Sequence, residues 1–171
     1  MQAHRNYLAP LTMNAMNASA QPADLPAASP ALEFCFRLNR AYATLTRRLD
    51  ISLGTYHGLS FADFMLLSSL SRAAGGRLRR VDLAERLGLT ASGVTRALIP
   101  LEKIGVVKRQ SDNRDARVGY AVITPAGNRL LASAMETAES VSTAAVQAST
   151  AKQLDSLSAT LAQLAGSGAT P

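Results

Sequence analysis

The chain has 171 residues and a mass of 18.0 kDa, enough for one domain with an accessory piece but not for two large domains. Its 47% apolar content supports a sizeable core, and its 11 Gly and 7 Pro show no repeat of the kind that marks a fibrous chain. The net charge is +6 and the pI about 10.1; residues 75–120 carry 10 basic and 5 acidic groups, so an anionic partner is expected to meet that segment.

A single cysteine, Cys35, excludes an internal disulfide, and two histidines with one cysteine cannot build a structural zinc site without carboxylates. Neither a metal nor a cofactor is expected. The apolar stretches are broken well before the roughly 18 residues that a membrane span requires, and the N-terminus lacks an apolar signal core. The expectation is a cytoplasmic protein without a membrane anchor.

Residues 1–30 mix Ala, Asn and Ser with four prolines and read as a disordered arm. From Leu32 onward Phe34, Leu38, Ala41, Tyr42, Leu45 and Leu49 recur at helical steps, predicting an amphipathic helix over 31–52. A loop containing Gly54 and Gly58 follows. Ser60 and Asp63 then have the spacing of a capping box, opening a second helix to about residue 73. Gly75 and Gly76 end it before a short extended piece at Arg77–Arg79.

Residues 80–105 read as helix, tight turn, helix. Leu83, Ala84 and Leu87 face one way, Gly88 permits a left-handed turn, Leu89 plugs the corner and Thr90 caps the next helix. Val94, Ala97, Leu98 and Leu101 form that helix's apolar stripe, within which Pro100 predicts a bend. Residues 106–109 and 118–123 look like two strands joined by a polar, basic turn, a β-hairpin. Thr124-Pro125 starts a helix running to about Gln147, and Thr150 with Gln153 opens a last helix with Leu154, Leu157, Leu161 and Leu164 on one face.

The order of these elements, with Val81-Asp82-Leu83-Ala84-Glu85-Arg86-Leu87-Gly88-Leu89, Ser92-Gly93-Val94-Thr95-Arg96, Leu101-Glu102-Lys103-Ile104-Gly105-Val106-Val107, Asp115-Ala116-Arg117 and Ile123-Thr124-Pro125-Ala126-Gly127, resembles the MarR (multiple antibiotic resistance regulator) family. The resemblance covers about residues 32–164. It implies a mainly α-helical fold: a winged helix-turn-helix over 60–123 with a β-hairpin wing, flanked by dimerisation helices at 31–52 and 124–166. It also implies a bacterial, homodimeric, sequence-specific regulator of transcription bound to a pseudopalindromic operator, not an enzyme.

The residues fit that chemistry. A helix entering the major groove needs short polar side chains and an Arg near its N-terminus, and Ser92, Thr95 and Arg96 supply them. Arg96 can grip a guanine edge with two parallel bonds or settle on a phosphate; both readings stay open. The resemblance assigns Arg117 to the minor groove, with Asp115 orienting the wing tip through a local ion pair. Lys108, Arg109 and Arg114 are candidate phosphate contacts. Leu38, Leu45, Leu154, Leu157, Leu161 and Leu164 are the candidate dimer contacts.

Relatives respond to small aromatic acids or phenols, and Arg40, Tyr42, His57, Phe61 and Met65 are the candidate slot for such an effector, with packing roles as the competing reading for Phe61 and Met65 and an exposed loop position for His57. Cys35 resembles the reactive cysteine of the hydroperoxide-sensing branch, but the positions that hold activating tyrosines there carry Asn39 and Phe61. The principal reading is a repressor released by a small aromatic or phenolic effector. The alternatives are a protein–protein module, such as an antirepressor, that keeps the fold without binding DNA, and a Cys35-based peroxide sensor.

Overall fold

The computed structural model describes residues 27–111 and 119–166. Helix α1 (Pro30–His57) is the longest, followed by α2 (Phe61–Ser71), strand β1 (Arg77–Arg79), α3 (Arg80–Leu87) and α4 (Ala91–Lys103). Strands β2 (Val107–Ser111) and β3 (Gly119–Ile123) precede α5 (Pro125–Val146) and α6 (Ala151–Leu164). The mainly α fold with a small antiparallel sheet is the one expected of a winged helix-turn-helix. The sheet has the order β1-β3-β2, so the short extended piece at Arg77–Arg79 is its third strand.

Local chemistry sets most boundaries. Ser60 and Asp63 form both bonds of the capping box on α2, Thr90 Oγ1 accepts from Gly93 N at 3.1 Å at the start of α4, and Thr150 and Gln153 close a second box on α6. Thr124 Oγ1 accepts from Gly127 N at 3.1 Å and donates to Gly105 O at 2.8 Å, so one hydroxyl caps α5 and ties it to the turn after α4. Gly88, at φ 63°, closes α3 in the left-handed conformation, sending the Leu89 N–H back to Ala84 O at 2.8 Å.

One core joins the helices to the inner face of the sheet. Leu49 and Leu53 of α1, Leu66, Leu67 and Leu70 of α2, Leu83 of α3, Val94, Leu98 and Leu101 of α4, Val107 and Ala121 of the sheet, and Leu131 and Ala134 of α5 are buried together. Gly127 is required where α5 crosses the end of α4: a Cβ there would overlap the Val106 carbonyl oxygen and stand 2.8 Å from Ile123 Cγ1.

Several expectations are corrected. Pro30, assigned to the arm, is the first residue of α1, whose N-cap Ser29 accepts from Leu32 N. The helix does not stop at residue 52 before a glycine loop but runs through Gly54 to His57, because Leu49 and Leu53 anchor it in the core and the penalty of one helical glycine, about 1 kcal/mol, is smaller than their burial. Leu89 does not plug the corner: it is 42% exposed, and Leu87 packs against the core instead. Helix α4 continues through Pro100 to Lys103, with Arg96 and Pro100 both exposed, so water can serve the Arg96 carbonyl that the proline cannot. Among the described residues no helix is long and apolar enough to cross a membrane.

Candidate nucleic-acid interface

Because the apolar stripe of α4 turns Val94, Leu98 and Leu101 inward, its first turns present the opposite face to solvent. Ser92 and Arg96 are exposed there; Thr95 is half-buried and donates its hydroxyl proton to Ala91 O at 3.0 Å, leaving the oxygen free to accept only. Ser92 Oγ lies 3.1 Å from Thr90 Oγ1, so the cap and the exposed hydroxyl share one small network. A cleft of about 430 Å³ opens beside them, lined by Arg79, Arg80, Val81, Ala91, Ser92, Thr95 and Gly119.

Two of the cleft's cations, Arg79 and Arg80, were absent from the sequence-derived candidates. Arg79 holds Asp82 with two hydrogen bonds, Nε to Oδ2 at 2.9 Å and Nη2 to Oδ1 at 3.0 Å, and this bond and charge raise its already high pKa. The Arg80 guanidinium lies against Gly119, with Nη2 2.7 Å from where a Cβ would stand, so the first residue of β3 leaves room for it. Their signal was the alternation Arg77, Leu78, Arg79, which is a strand with basic residues on one face.

Lys108 is exposed on β2. Arg109, a candidate phosphate contact, is exposed and gives its Nε to Glu102 Oε1 at 2.5 Å, tying β2 to α4. The strand register explains this: Arg109 pairs with the buried Ala121, so it points to the helix side of the sheet. Arg114, Asp115 and Arg117 lie outside the described residues.

The five candidate effector residues do not converge. Tyr42 is 63% exposed and stands 15 residues before His57 on the same helix, ~22 Å along its axis. Phe61 packs against the core and stacks on Phe64 at 6.2 Å, whereas Met65 is exposed. His57, expected in a loop, ends α1 and its Nε2 lies 2.8 Å from Thr137 Oγ1 of α5. Arg40 borders a groove of about 510 Å³ between α1 and α5, where Arg37 and Arg48 accompany it over Ala41, Leu45 and Val146. Cys35 is free and exposed, and Asn39 and Phe61 offer it no phenol.

Among the dimer candidates, Leu45 packs against its own chain's core and Leu154 is half-buried. Leu38 (38%), Leu157 (54%), Leu161 (43%) and Leu164 (61%) are exposed, and α6 has no buried residue.

Against known proteins, residues 57–118 match the MarR family. The chain is 27% identical to Sco3205 of Streptomyces coelicolor, a MarR family transcriptional regulator solved in complex with DNA, with a TM-score of 0.73 over 86% of this chain and 94% of that one. In sequence over residues 57–118 and in fold, the chain is similar to the MarR family. The transcriptional regulator BldR from Sulfolobus solfataricus has the same architecture, at 27% identity and a TM-score of 0.69 over 78% of this chain and 95% of its own. The HTH-type transcriptional regulator PrsX of Escherichia coli is 28% identical over 96 residues, covering 56% of this chain and 55% of PrsX, so the match spans about half the length of that relative. These relatives are regulators of transcription, not enzymes.

Proposed function

We propose that this chain is a MarR-type, sequence-specific DNA-binding regulator of transcription, acting as a homodimeric repressor released by a small aromatic or phenolic effector. The observation that carries the DNA reading is the exposed start of α4, where Arg96 faces solvent and Ser92 lines a cleft bordered by Arg79 and Arg80. Short hydroxyls, a long planar cation and free helix amides are what base edges and phosphates require. The likeness to Sco3205, solved with DNA, supports the same reading.

Homodimerisation is supported by the leucines of α6 and by Phe34, Phe36 and Leu38 of α1, apolar surface that a lone chain would leave in water. A twofold pair would place two α4 helices against half-sites about one helical turn apart. The effector is assigned to the dimerisation helices, with Arg40 as cationic anchor beside Arg37 and Arg48. Binding there would alter the spacing of the two α4 helices only if the effector prefers one arrangement.

The test is selection of duplexes from random-sequence DNA by the purified full-length chain, followed by a salt titration of the enriched sequence. Specific binding appears as enrichment of a pseudopalindrome and a steep fall of log K with log salt, about 0.9 per phosphate neutralised. Absence of enrichment at low salt overturns the reading.

A further inference from the structure

The face of the sheet turned away from the core is basic, and the register shows how. Residues paired across antiparallel strands share a face, and successive residues alternate. Leu78, Ala121 and Arg109 form one inward row, with Val107 and Ile123 beside it. The outward rows are therefore Arg77, Val122 and Lys108, and Arg79, Tyr120 and Gln110. Arg77, Arg79, Lys108 and Gln110 are exposed, while Tyr120 and Val122 are half-buried beneath them. Among the described strand residues none on this face is acidic, and Asp82 of α3 pairs with Arg79 at its edge.

The array is ordered. The Arg77 guanidinium lies over the Tyr120 ring at 4.9 Å, the diagonal neighbour on β3, which fixes a side chain that would otherwise sweep solvent. Arg79 is fixed by Asp82. With three strands about 4.8 Å apart, Arg77 and Lys108 stand ~10 Å from each other, a span within which a duplex presents several phosphates. Arg79 also lines the cleft shared with Ser92 and Thr95, so the outer face is continuous with the proposed DNA interface.

We infer that the outer face of the sheet, through Arg77 and Lys108, grips phosphates of the duplex flanking the operator and so extends the footprint outward from the wing. The inference rests on the DNA-binding reading and deepens it. These contacts carry affinity without sequence preference, because phosphates are alike at every base pair, whereas Ser92 and Arg96 face the part of the duplex that carries sequence. The residues act at the ends of the bound segment, so their contribution depends on duplex length.

The test uses the full-length chain, the duplex enriched by selection, and nested versions trimmed from both ends by about half a helical turn, ~5 bp at a time. Wild type is expected to lose affinity once trimming removes the flanks, and the Arg77→Gln/Lys108→Gln variant to bind the long duplex only as well as wild type binds the trimmed one. Its salt slope on the long duplex should fall by about 0.9 for each cation removed per protomer. Lys108→Gln alone, which disturbs no aromatic stack, should show half that change. Wild-type affinity independent of flank length, or a double variant with an unchanged slope on the long duplex, overturns the inference. Equal losses on long and trimmed duplexes overturn it too, since they report a general defect. Failure of wild type to enrich any duplex is a different result and removes the DNA-binding reading itself.

Discussion

At the residue scale, identical side-chain types do different work according to where the backbone points them. Arg96 and Arg109 are both basic residues of the charged middle segment, yet Arg96 faces solvent and Arg109 is tied to Glu102. Replacing Arg96 with Ala is expected to weaken binding to the selected duplex and, if the side chain reads a guanine, to cut discrimination at one position by about 1–3 kcal/mol. Fluorescence anisotropy against a set of single-base variants of the duplex distinguishes that outcome from a uniform loss, which would mark a phosphate contact. In the core, Leu98 is fully buried beneath the exposed face of α4. Leu98→Ala should lower the unfolding free energy by about 2–5 kcal/mol in a urea titration, because the cavity adds to the lost transfer energy.

At the element scale, each helix of the module is locked to the next by a short polar device. Thr124 serves two elements with one hydroxyl, capping α5 and holding the Gly105 carbonyl. Thr124→Ala is expected to cost about 1–2 kcal/mol, more than a solvated cap, by chemical denaturation. Three residues on, the contact between α5 and the Val106 carbonyl admits no side chain. Gly127→Ala should therefore destabilise by about 1–3 kcal/mol, although alanine is the better helix former, and a neutral result would mean that α5 can shift away from β2. Capping signals of this kind were legible: Ser60, Thr90, Thr124 and Thr150 were placed from spacing alone because a cap is satisfied within a few residues of itself. Gly54 was misread for the opposite reason, since the choice between a glycine loop and a glycine inside a helix was made by Leu53 packing on distant residues.

At the scale of the whole molecule, the described chain leaves large apolar side chains on two helices without cover. Phe34, Phe36 and Leu38 on α1, and Leu157, Leu161 and Leu164 on α6, are all exposed while the module they flank has a closed core. Leu157→Glu is expected to convert the assembly to single chains in sedimentation velocity, since a twofold interface repeats the buried charge on both subunits. A variant that still sediments as a pair would place the contact elsewhere. Loss of pairing should also weaken operator binding steeply, because two half-sites are then no longer held by one particle.

The order of helices and strands, the winged helix-turn-helix and the basic character of its middle were written in periodicity, caps and local charge, all of which act within a few residues. Which side of the sheet each strand cation takes was settled by pairing. Pairing of β1 with β3 and of β2 with β3 turned Arg77 and Lys108 outward and Arg109 inward, and the fold of α3 against α4 brought Arg79 and Arg80 beside Ser92. The effector candidates are spread out for a related reason: Tyr42 and His57 share a helix whose length holds them apart, while Arg37, Arg40 and Arg48 line one groove beside α5. A sequence specifies the faces of its own elements; the side chains that meet across those faces depend on register and packing between segments far apart in the chain.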